Sequence, residues 1–153
     1  KQKMYSTFDM TEENLPYYIA DLNIFKPEVL NGFVSALYEL AKYINRTNVK
    51  IHFVSKAIFT TSETLLPIHR ELIEKVFKSK IYNQYASAEG APFVTECRFG
   101  NLHYNIDTGI IEVIGTPEES EILVTSFTSY GTPLIRYRIG DKIIFKDGFK
   151  SLS

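Results

Sequence analysis

The 153-residue chain has no tryptophan and only one cysteine, Cys97. A single cysteine cannot form an internal disulfide, which suits a reducing compartment. The net charge is -1, from 17 basic and 18 acidic residues, so no broad positive field attracts nucleic acid or an anionic membrane. No apolar run approaches the ~20 residues that span a bilayer, and the charged opening KQKMYSTFDM lacks the apolar core of a signal peptide. We therefore expect a cytoplasmic protein with no nucleic-acid or membrane partner.

The chain does have enough apolar surface for a core. Its residues are 44% hydrophobic, and a chain of this size suits one domain or two packed subdomains. Apolar residues recur every three or four positions in 27–45 and again in 64–78, which predicts two helices. Strands are predicted at 49–54, 57–61 and 81–86. The last two strands and the helix between them form a βαβ unit, with parallel strands and a right-handed crossover.

After Gly90 the pattern changes to short strand-like segments, separated by turn signals such as FGN and DTG. We therefore predict an α/β fold. A parallel sheet portion containing the βαβ unit occupies residues 1–90, and a β-rich, distorted barrel-like subdomain occupies residues 91–153. Ligands of parallel sheets bind beyond the carboxyl ends of the strands. Those ends are predicted at TSET (61–64) and SAEG (87–90).

Two carboxylates, Glu89 and Asp141, lie in loops rich in small residues, YASAEG and YRIGDK. A carboxylate in such a loop can hold Mg²⁺ or accept hydrogen bonds from the vicinal hydroxyls of a ribose. Taken singly, an acidic loop residue is more often a helix cap or a solvated turn residue. The occurrence of both carboxylates in such loops is what points to a nucleotide.

These loops resemble two elements of the adenylate-forming ligases, the superfamily of acyl-CoA synthetases and peptide-synthetase adenylation domains. NQYASAE (83–89) is similar to their N-x-Y-G-x-T/S-E element, and YRIGD (137–141) to their Y-R-T-G-D element. The segments LNGFVSALYELAKYI, IFTTSETLLPIHRELIEKVF, YASAEGAPFVTEC and PLIRYRIGD follow the order found in one branch, the phenylacetate-CoA ligase and CapK-like capsular polysaccharide proteins. The resemblance extends over nearly the whole chain.

The resemblance implies a role for each matching residue. Asn83 is expected to hydrogen-bond the adenine amine, and Tyr85 to stack on the adenine ring. Asp141 is expected to bind the ribose hydroxyls. Glu89 is expected to coordinate magnesium beside the phosphates and is the residue assigned to catalysis. Without the resemblance, Tyr85 is better interpreted as a half-buried strand aromatic and Asn83 as a polar edge residue.

The sequence departs from the family elements at a few positions. Ala86 and Ala88 stand where the family has Gly and then Thr or Ser, so the hydroxyl that contacts the α-phosphate is absent. Ser87 can substitute only if this segment is a loop and not a pleated strand. Ile139 replaces Thr in the second element, which affects packing more than charge. The hydroxyl-rich TSFTSYGTP (125–133) is superficially similar to the family's phosphate loop, but it precedes a proline and a strand and is interpreted as a turn.

Cys97 and His103 are the candidates for a second metal. In ECRFGNLH they are expected on neighbouring strands of a hairpin. A structural zinc site needs four ligands, and these residues offer two. The resemblance implies that a cysteine pair beyond Ser153 supplies the others. The alternative is a buried cysteine with an unrelated surface histidine.

Three further side chains are candidates for nucleotide or acid contacts. Arg138 alternates with Arg136 along the predicted strand, and it can contact a phosphate or the acyl carboxylate. Equally, both arginines can lie on a solvated face, paired with acids such as Glu112. Ser62 and Glu63 occupy the loop that in the family lies near the adenine and the acyl pocket.

The resemblance implies that the parent protein activates a small-molecule carboxylic acid with ATP and magnesium. It would release pyrophosphate and pass the acyl group to a thiol, expected to be coenzyme A. The family's upstream phosphate loop and its downstream lysine-bearing lid domain are not in this sequence. We therefore predict part of a longer ligase, inactive alone. The alternatives are a non-catalytic nucleotide-binding or structural module and a β-rich interaction domain without a nucleotide site.

Overall fold

The computed structural model describes residues 1–90, 92–116 and 119–143. Its elements in chain order are α1 (Leu15–Phe25), β1 (Val29–Phe33), α2 (Val34–Thr47), β2 (Ala57–Thr61), α3 (Pro67–Phe77), β3 (Ile81–Tyr85), β4 (Val94–Glu96), β5 (Leu102–Tyr104), β6 (Gly109–Gly115), β7 (Ser120–Ser126) and β8 (Tyr137–Ile143). Strands β1 to β5 form a five-stranded sheet in chain order, and β6 to β8 form a separate three-stranded sheet. Among the described residues, no helix is long and apolar enough to cross a membrane.

The chain divides into two compact units. The first unit is Lys1–Gln84 with Glu96–Asn101, and the second is Tyr85–Thr95 with the chain from Leu102 onward. The first unit contains the three helices and the parallel strands, whereas the second contains the antiparallel sheet. The predicted α/β fold class is confirmed.

The first unit contains the predicted βαβ arrangement. Strands β2 and β3 pair in parallel, with Ile58 opposite Ile81, and β1 pairs in parallel with β2. Both isoleucines are fully buried in a core that all three helices line. The buried residues of this core are Leu15, Ile19, Leu22, Leu37, Leu40, Ala41, Ile44, Phe53, Ile58, Ile73, Phe77 and Ile81. Because the strands are parallel, the carboxyl ends of β2 and β3 lie at the same edge of the sheet.

The predicted helix 27–45 is wrong at its start. Residues Val29–Phe33 form β1, and α2 begins only at Val34. Asn31 and Gly32 are poor helix formers, and every residue of β1 pairs with a residue of β2. Pairing across the sheet therefore outweighs the spacing of three and four in this stretch. In α2 the spacing holds, and the buried residues are Val34, Leu37, Leu40, Ala41 and Ile44.

The predicted strand 49–54 is also wrong, because these residues have no regular secondary structure. Asn23 of α1 holds this segment instead. Its side-chain oxygen accepts the backbone N–H of His52 at 2.7 Å, and its amide nitrogen donates to the carbonyl of Lys50 at 2.9 Å. One side chain thus takes the place of a neighbouring strand.

The second unit has its own, smaller core. Strand β7 pairs antiparallel with β6 on one side and with β8 on the other. Ile122 and Val124 of β7 are buried, and Tyr85 and Ile139 pack against them. The predicted β-rich character is confirmed. Strands β6 to β8 form a three-stranded sheet, while β5, which also belongs to this unit, is part of the five-stranded sheet, so barrel-like closure stays a prediction.

Candidate functional site

Two of the predicted nucleotide-binding residues, Tyr85 and Asp141, contact each other. Tyr85 ends β3, and Asp141 lies in β8. The phenol of Tyr85 donates a hydrogen bond to Oδ2 of Asp141, while the Tyr85 side chain also packs on the core of the second unit. A β-carbon added to Gly140, the residue before Asp141, would meet no described atom within 4 Å. The backbone next to Asp141 therefore has room for a ligand.

The negative charge of Glu89 affects the pKa of the same phenol. Burial raises the pKa of Tyr85, and the hydrogen bond to Asp141 and the negative charges of Asp141 and Glu89 raise it further. Both carboxylates thus lie within electrostatic range of one hydroxyl group. Glu89 and Asp141 are exposed, and neither forms an ion pair with a basic residue of the described ranges. Asp141 thus bonds the Tyr85 phenol directly, and Glu89 acts on it through its charge.

The segment before Glu89 is a turn. Strand β3 ends at Tyr85, and the N–H of Gly90 donates to the carbonyl of Ser87 at 3.2 Å. Ser87 is half-buried and lies outside any strand. The loop geometry that Ser87 needs as a substitute phosphate ligand is therefore present, and its contact with phosphate stays a prediction.

Asn83 lies on β3, and its side chain already has protein partners. Its Oδ1 accepts hydrogen bonds from the hydroxyl of Thr60 and from the N–H of Gln84, both at 3.1 Å. Because a backbone N–H can only donate, the amide atom that faces Gln84 is the oxygen. The predicted contact with the adenine amine, which is also a donor, thus requires Asn83 to exchange one of these partners. That contact stays a prediction.

Sequence reasoning missed a polar network along β3. Arg70 of α3 donates to Oε2 of Glu96 at 2.6 Å and to the carbonyl of Ile81 at 3.0 Å. Glu96 also accepts the N–H of Asn83 at 2.9 Å, and Glu74 accepts the N–H of Ile81 at 2.8 Å. The side chain of Glu96 is only 5% exposed. The i, i+4 spacing of Arg70 and Glu74 was a signal for part of this network, but nothing in the sequence pointed to Glu96.

Ser62 and Glu63 follow β2, and Glu63 caps a helix. Its carboxylate accepts the N–H of Ser35 at 2.6 Å and the Ser35 hydroxyl at 2.8 Å. Ser35 is the second residue of α2, so the carboxylate pairs an N–H that the helix leaves free and faces the positive end of its dipole. Ser62 is exposed and has a left-handed backbone, with φ 67°. Contacts of either residue with adenine or acid stay predictions.

Arg138 pairs with an acid of the neighbouring strand. Its Nε donates to Oε2 of Glu121 at 2.6 Å, and this hydrogen bond holds the pKa of the Glu121 carboxyl below its usual range. Arg136 likewise donates to Glu112 at 3.2 Å. Arg136 precedes β8 and has φ 50°, so its predicted alternation with Arg138 along one strand is wrong. The contact of Arg138 with phosphate or an acyl carboxylate stays a prediction.

The residues present fit magnesium at Glu89. Mg²⁺ in nucleotide sites is held by one or two carboxylates together with phosphates and waters, and Glu89 is an exposed carboxylate of this kind. In the described ranges, no three His, Cys, Asp or Glu side chains converge as a metal site. That part of the chain therefore does not provide the four ligands of structural zinc. Zinc at Cys97 and His103 stays a prediction that needs further ligands.

The chain is similar in sequence to known proteins. Over 143 residues the chain is 43% identical to Protein CapK of Staphylococcus aureus, a match that covers 93% of this chain and 32% of that protein. This chain belongs to the adenylate-forming ligase superfamily, in its CapK-like branch. It is also 32% identical over 130 residues to indoleacetate-lysine synthetase of Pseudomonas savastanoi, which covers 78% of this chain and 30% of that protein. The chain thus spans about a third of the length of these curated relatives. No protein-family model matches it.

A solved structure shares the fold of this ligase-superfamily chain. It is an open conformation of 2-hydroxyisobutyryl-CoA ligase in complex with 2-HIB-AMP and CoA, with a TM-score of 0.72 and 19% identity. The match covers 88% of this chain and 32% of that one. At this identity the likeness concerns the fold alone.

Proposed function

We propose that this chain supplies the adenosine-binding part of an ATP-dependent, AMP-forming ligase that activates a carboxylic acid. The observation that carries the proposal is the hydrogen bond from Tyr85 to Asp141, with Glu89 in electrostatic range of the same phenol, in a chain of the adenylate-forming superfamily. An aromatic ring suits the base, one carboxylate suits the ribose hydroxyls, and the other suits a metal beside the phosphates.

Asp141 is the proposed ribose ligand. An ionised carboxylate offers about four acceptor positions on two oxygens, and the Tyr85 phenol uses one of them. Two vicinal hydroxyls can therefore bind Asp141 without displacing Tyr85. Held in this way by Asp141, Tyr85 is fixed in orientation before the base arrives, which lowers the entropic cost of binding.

The proposed reaction joins the acid to the nucleotide. A carboxylate oxygen of the substrate attacks the α-phosphorus of ATP, the bond from that phosphorus to the pyrophosphate leaving group breaks, and an acyl-adenylate forms. Tyr85 and Asp141 orient the nucleoside, and Glu89 would hold the metal ion beside the phosphates. Magnesium supplies charge neutralisation around the phosphates when bound.

The second step of the proposal is transfer of the acyl group to coenzyme A. Its support is the structural neighbour whose complex contains both 2-HIB-AMP and CoA. Attack of the CoA thiol on the acyl carbon breaks the acyl to phosphate bond and releases AMP. The cytoplasmic location of the parent protein belongs to the same proposal.

Acid-dependent exchange of labelled pyrophosphate into ATP tests this function in the full-length protein. The panel contains arylacetic, fatty and amino acids, and we expect exchange with at least one class. Asp141→Ala is expected to lower exchange roughly 10- to 100-fold, because the ribose loses one or two hydrogen bonds.

Asp107→Ala, a change of another exposed aspartate of the second unit, is the matched control and is expected to leave exchange unchanged. Equal loss in both variants would contradict the proposal. AMP binding without exchange for any acid would instead support the non-catalytic nucleotide-binding module.

A further inference from the structure

The hydroxyl that the resemblance requires just before Glu89 is absent, because residue 88 is alanine. Three other hydroxyls lie at the same turn. Ser126 ends β7, and Thr128 and Ser129 follow it. The Oγ of Ser126 lies 3.2 Å from Oγ1 of Thr128 and 3.3 Å from Oγ of Ser129. We call these three side chains the hydroxyl cluster.

The hydroxyl cluster touches the backbone of Glu89 and Gly90. The Ser129 hydroxyl donates to the carbonyl of Glu89 at 3.4 Å. Gly90 has φ 81°, a conformation that favours glycine, and a β-carbon there would lie 2.6 Å from Oγ of Ser129 and 3.3 Å from Oγ of Ser126. Glycine at position 90 therefore lets the hydroxyls approach the turn that carries the proposed magnesium ligand.

The hydrogen bonds of the hydroxyl cluster are long. A well-formed bond from a hydroxyl to an oxygen measures about 2.7 to 2.8 Å, and the hydroxyls of Ser55, Ser79 and Thr108 bond backbone carbonyls at 2.8, 2.7 and 2.7 Å. The contacts within and around the cluster measure 3.2 to 3.4 Å. Because these bonds are weak, the hydroxyls lose little when they turn toward a stronger acceptor such as a phosphate oxygen.

The position of the hydroxyl cluster also suits a phosphate. Glu89 would hold Mg²⁺ beside the phosphates, and a phosphate there would lie close to the turn that Ser129 contacts. The cluster contains no acidic side chain that would repel the phosphate. Ser126 and Ser129 are half-buried and Thr128 is exposed, so solvent and ligands have access to the cluster.

We propose that the hydroxyl cluster binds the α-phosphate of the nucleotide and takes over the contact that Ala88 cannot make. This inference rests on the proposed function, in which Tyr85 and Asp141 bind the nucleoside. The ligand is a phosphate ester such as the one in AMP or ATP. The cluster contributes to binding affinity only when the ligand carries that phosphate, whereas Asp141 contributes to the affinity of ligands with or without it.

Calorimetric titration of AMP and of adenosine into the full-length protein separates these contributions. The double variant Ser126→Ala/Ser129→Ala is expected to bind AMP about tenfold or more weakly, because a hydrogen bond to a charged group is lost. Its affinity for adenosine is expected to be unchanged. The matched control is Ser120→Ala at the opposite end of β7, where the hydroxyl donates to the carbonyl of Thr116.

A rescue variant sharpens the test. Ala88→Thr restores the hydroxyl at the family position, and in the double variant it is expected to recover most of the lost AMP affinity. Unchanged AMP affinity in the double variant, or an equal loss for AMP and adenosine, would overturn the proposed phosphate contact. If the wild-type protein binds neither ligand, the proposed function itself fails. If the double variant does not fold, the affinities for AMP and adenosine are compared in Ser129→Ala alone.

Discussion

The two units of this chain are stabilised in different ways. The first unit has twelve buried core residues, eleven from the three helices and the parallel strands and one, Phe53, from the irregular segment before β2. The second unit has two buried residues in its core cluster within the described ranges, and most of β8 is exposed. Tyr85, Glu89 and Asp141 all belong to the second unit. The candidate site therefore lies in the unit with the smaller apolar core. Tyr85 belongs to both, because it packs on that core and donates a hydrogen bond to Asp141.

The largest effect is expected from a cavity in the core of the first unit. Phe77 is 1% exposed, and Phe77→Ala is expected to lower the free energy of unfolding by about 3 to 5 kcal/mol. Urea denaturation measures this change. Phe8→Ala is the control, since Phe8 is 97% exposed, and we expect its effect to be within about 0.5 kcal/mol. Similar losses in both variants would contradict the core as described.

The second largest effect is expected from the polar network on β3. Glu96→Ala removes the acceptor of the Asn83 N–H and one of the acceptors of Arg70, and the loss of these two hydrogen bonds to a charged group is expected to cost about 3 kcal/mol. Glu28→Ala breaks the exposed pair with Lys56 and is expected to leave the free energy of unfolding nearly unchanged, because solvent screens the pair. Urea denaturation of the two variants side by side gives the comparison. Equal small losses would mean that the partly buried pair of Arg70 and Glu96 contributes no more than a surface pair.

A smaller effect is expected from the core of the second unit. Val124 is fully buried, and Val124→Ala is expected to cost about 2 kcal/mol. Because Tyr85 packs on this core, the same variant is expected to weaken AMP binding, which calorimetry detects. Amide hydrogen exchange should become faster in β6 and β7 and remain unchanged in β2 and β3. Faster exchange in both groups of strands would contradict the separate behaviour of the two units.

The smallest effect concerns the ionisation of Tyr85. A phenol whose pKa is raised on folding stabilises the fold fully below its unfolded pKa, about 10, and this contribution is lost as pH rises through the folded pKa. The absorbance of ionised tyrosine is therefore expected to be the same in the wild type and in Tyr85→Phe up to about pH 11.

The control for this titration is Asp141→Asn, which removes one hydrogen bond and one negative charge from the phenol. We expect Tyr85 to ionise at lower pH in that variant, seen as a difference between Asp141→Asn and Asp141→Asn/Tyr85→Phe. A clear difference between the wild type and Tyr85→Phe below about pH 10.5 would contradict the raised pKa.

Sequence reasoning succeeded where the order of helices and strands along the chain determines where the strand ends lie. The strand ends after residues 61 and 85 meet at one sheet edge because βαβ strands are parallel. The resemblance named Tyr85 and Asp141, which form a hydrogen bond, and Glu89, whose charge acts on the same phenol; their roles in nucleotide binding stay predictions. In these cases the information lies in local patterns and in motifs.

Sequence reasoning failed where a tertiary partner decides the outcome. Helix α1 was missed because its exposed Tyr17 and Ile24 obscure the spacing of its buried residues. Residues Val29–Phe33 have helical spacing but pair with β2. Glu96 and the hydroxyl cluster gain their contacts from residues far away in the chain. No local pattern reports such contacts.

Titration of ATP by calorimetry, with and without Mg²⁺, tests most directly whether Asp141 and Glu89 form one nucleotide site. In the wild-type protein Mg²⁺ is expected to strengthen ATP binding. Glu89→Gln is expected to remove this dependence on Mg²⁺. Asp141→Asn is expected to weaken ATP binding about tenfold with and without Mg²⁺. The control Glu119→Gln, at another exposed acid of the second unit, is expected to change neither the ATP affinity nor its dependence on Mg²⁺. Wild-type binding that persists unaltered in both Glu89→Gln and Asp141→Asn would contradict a shared site.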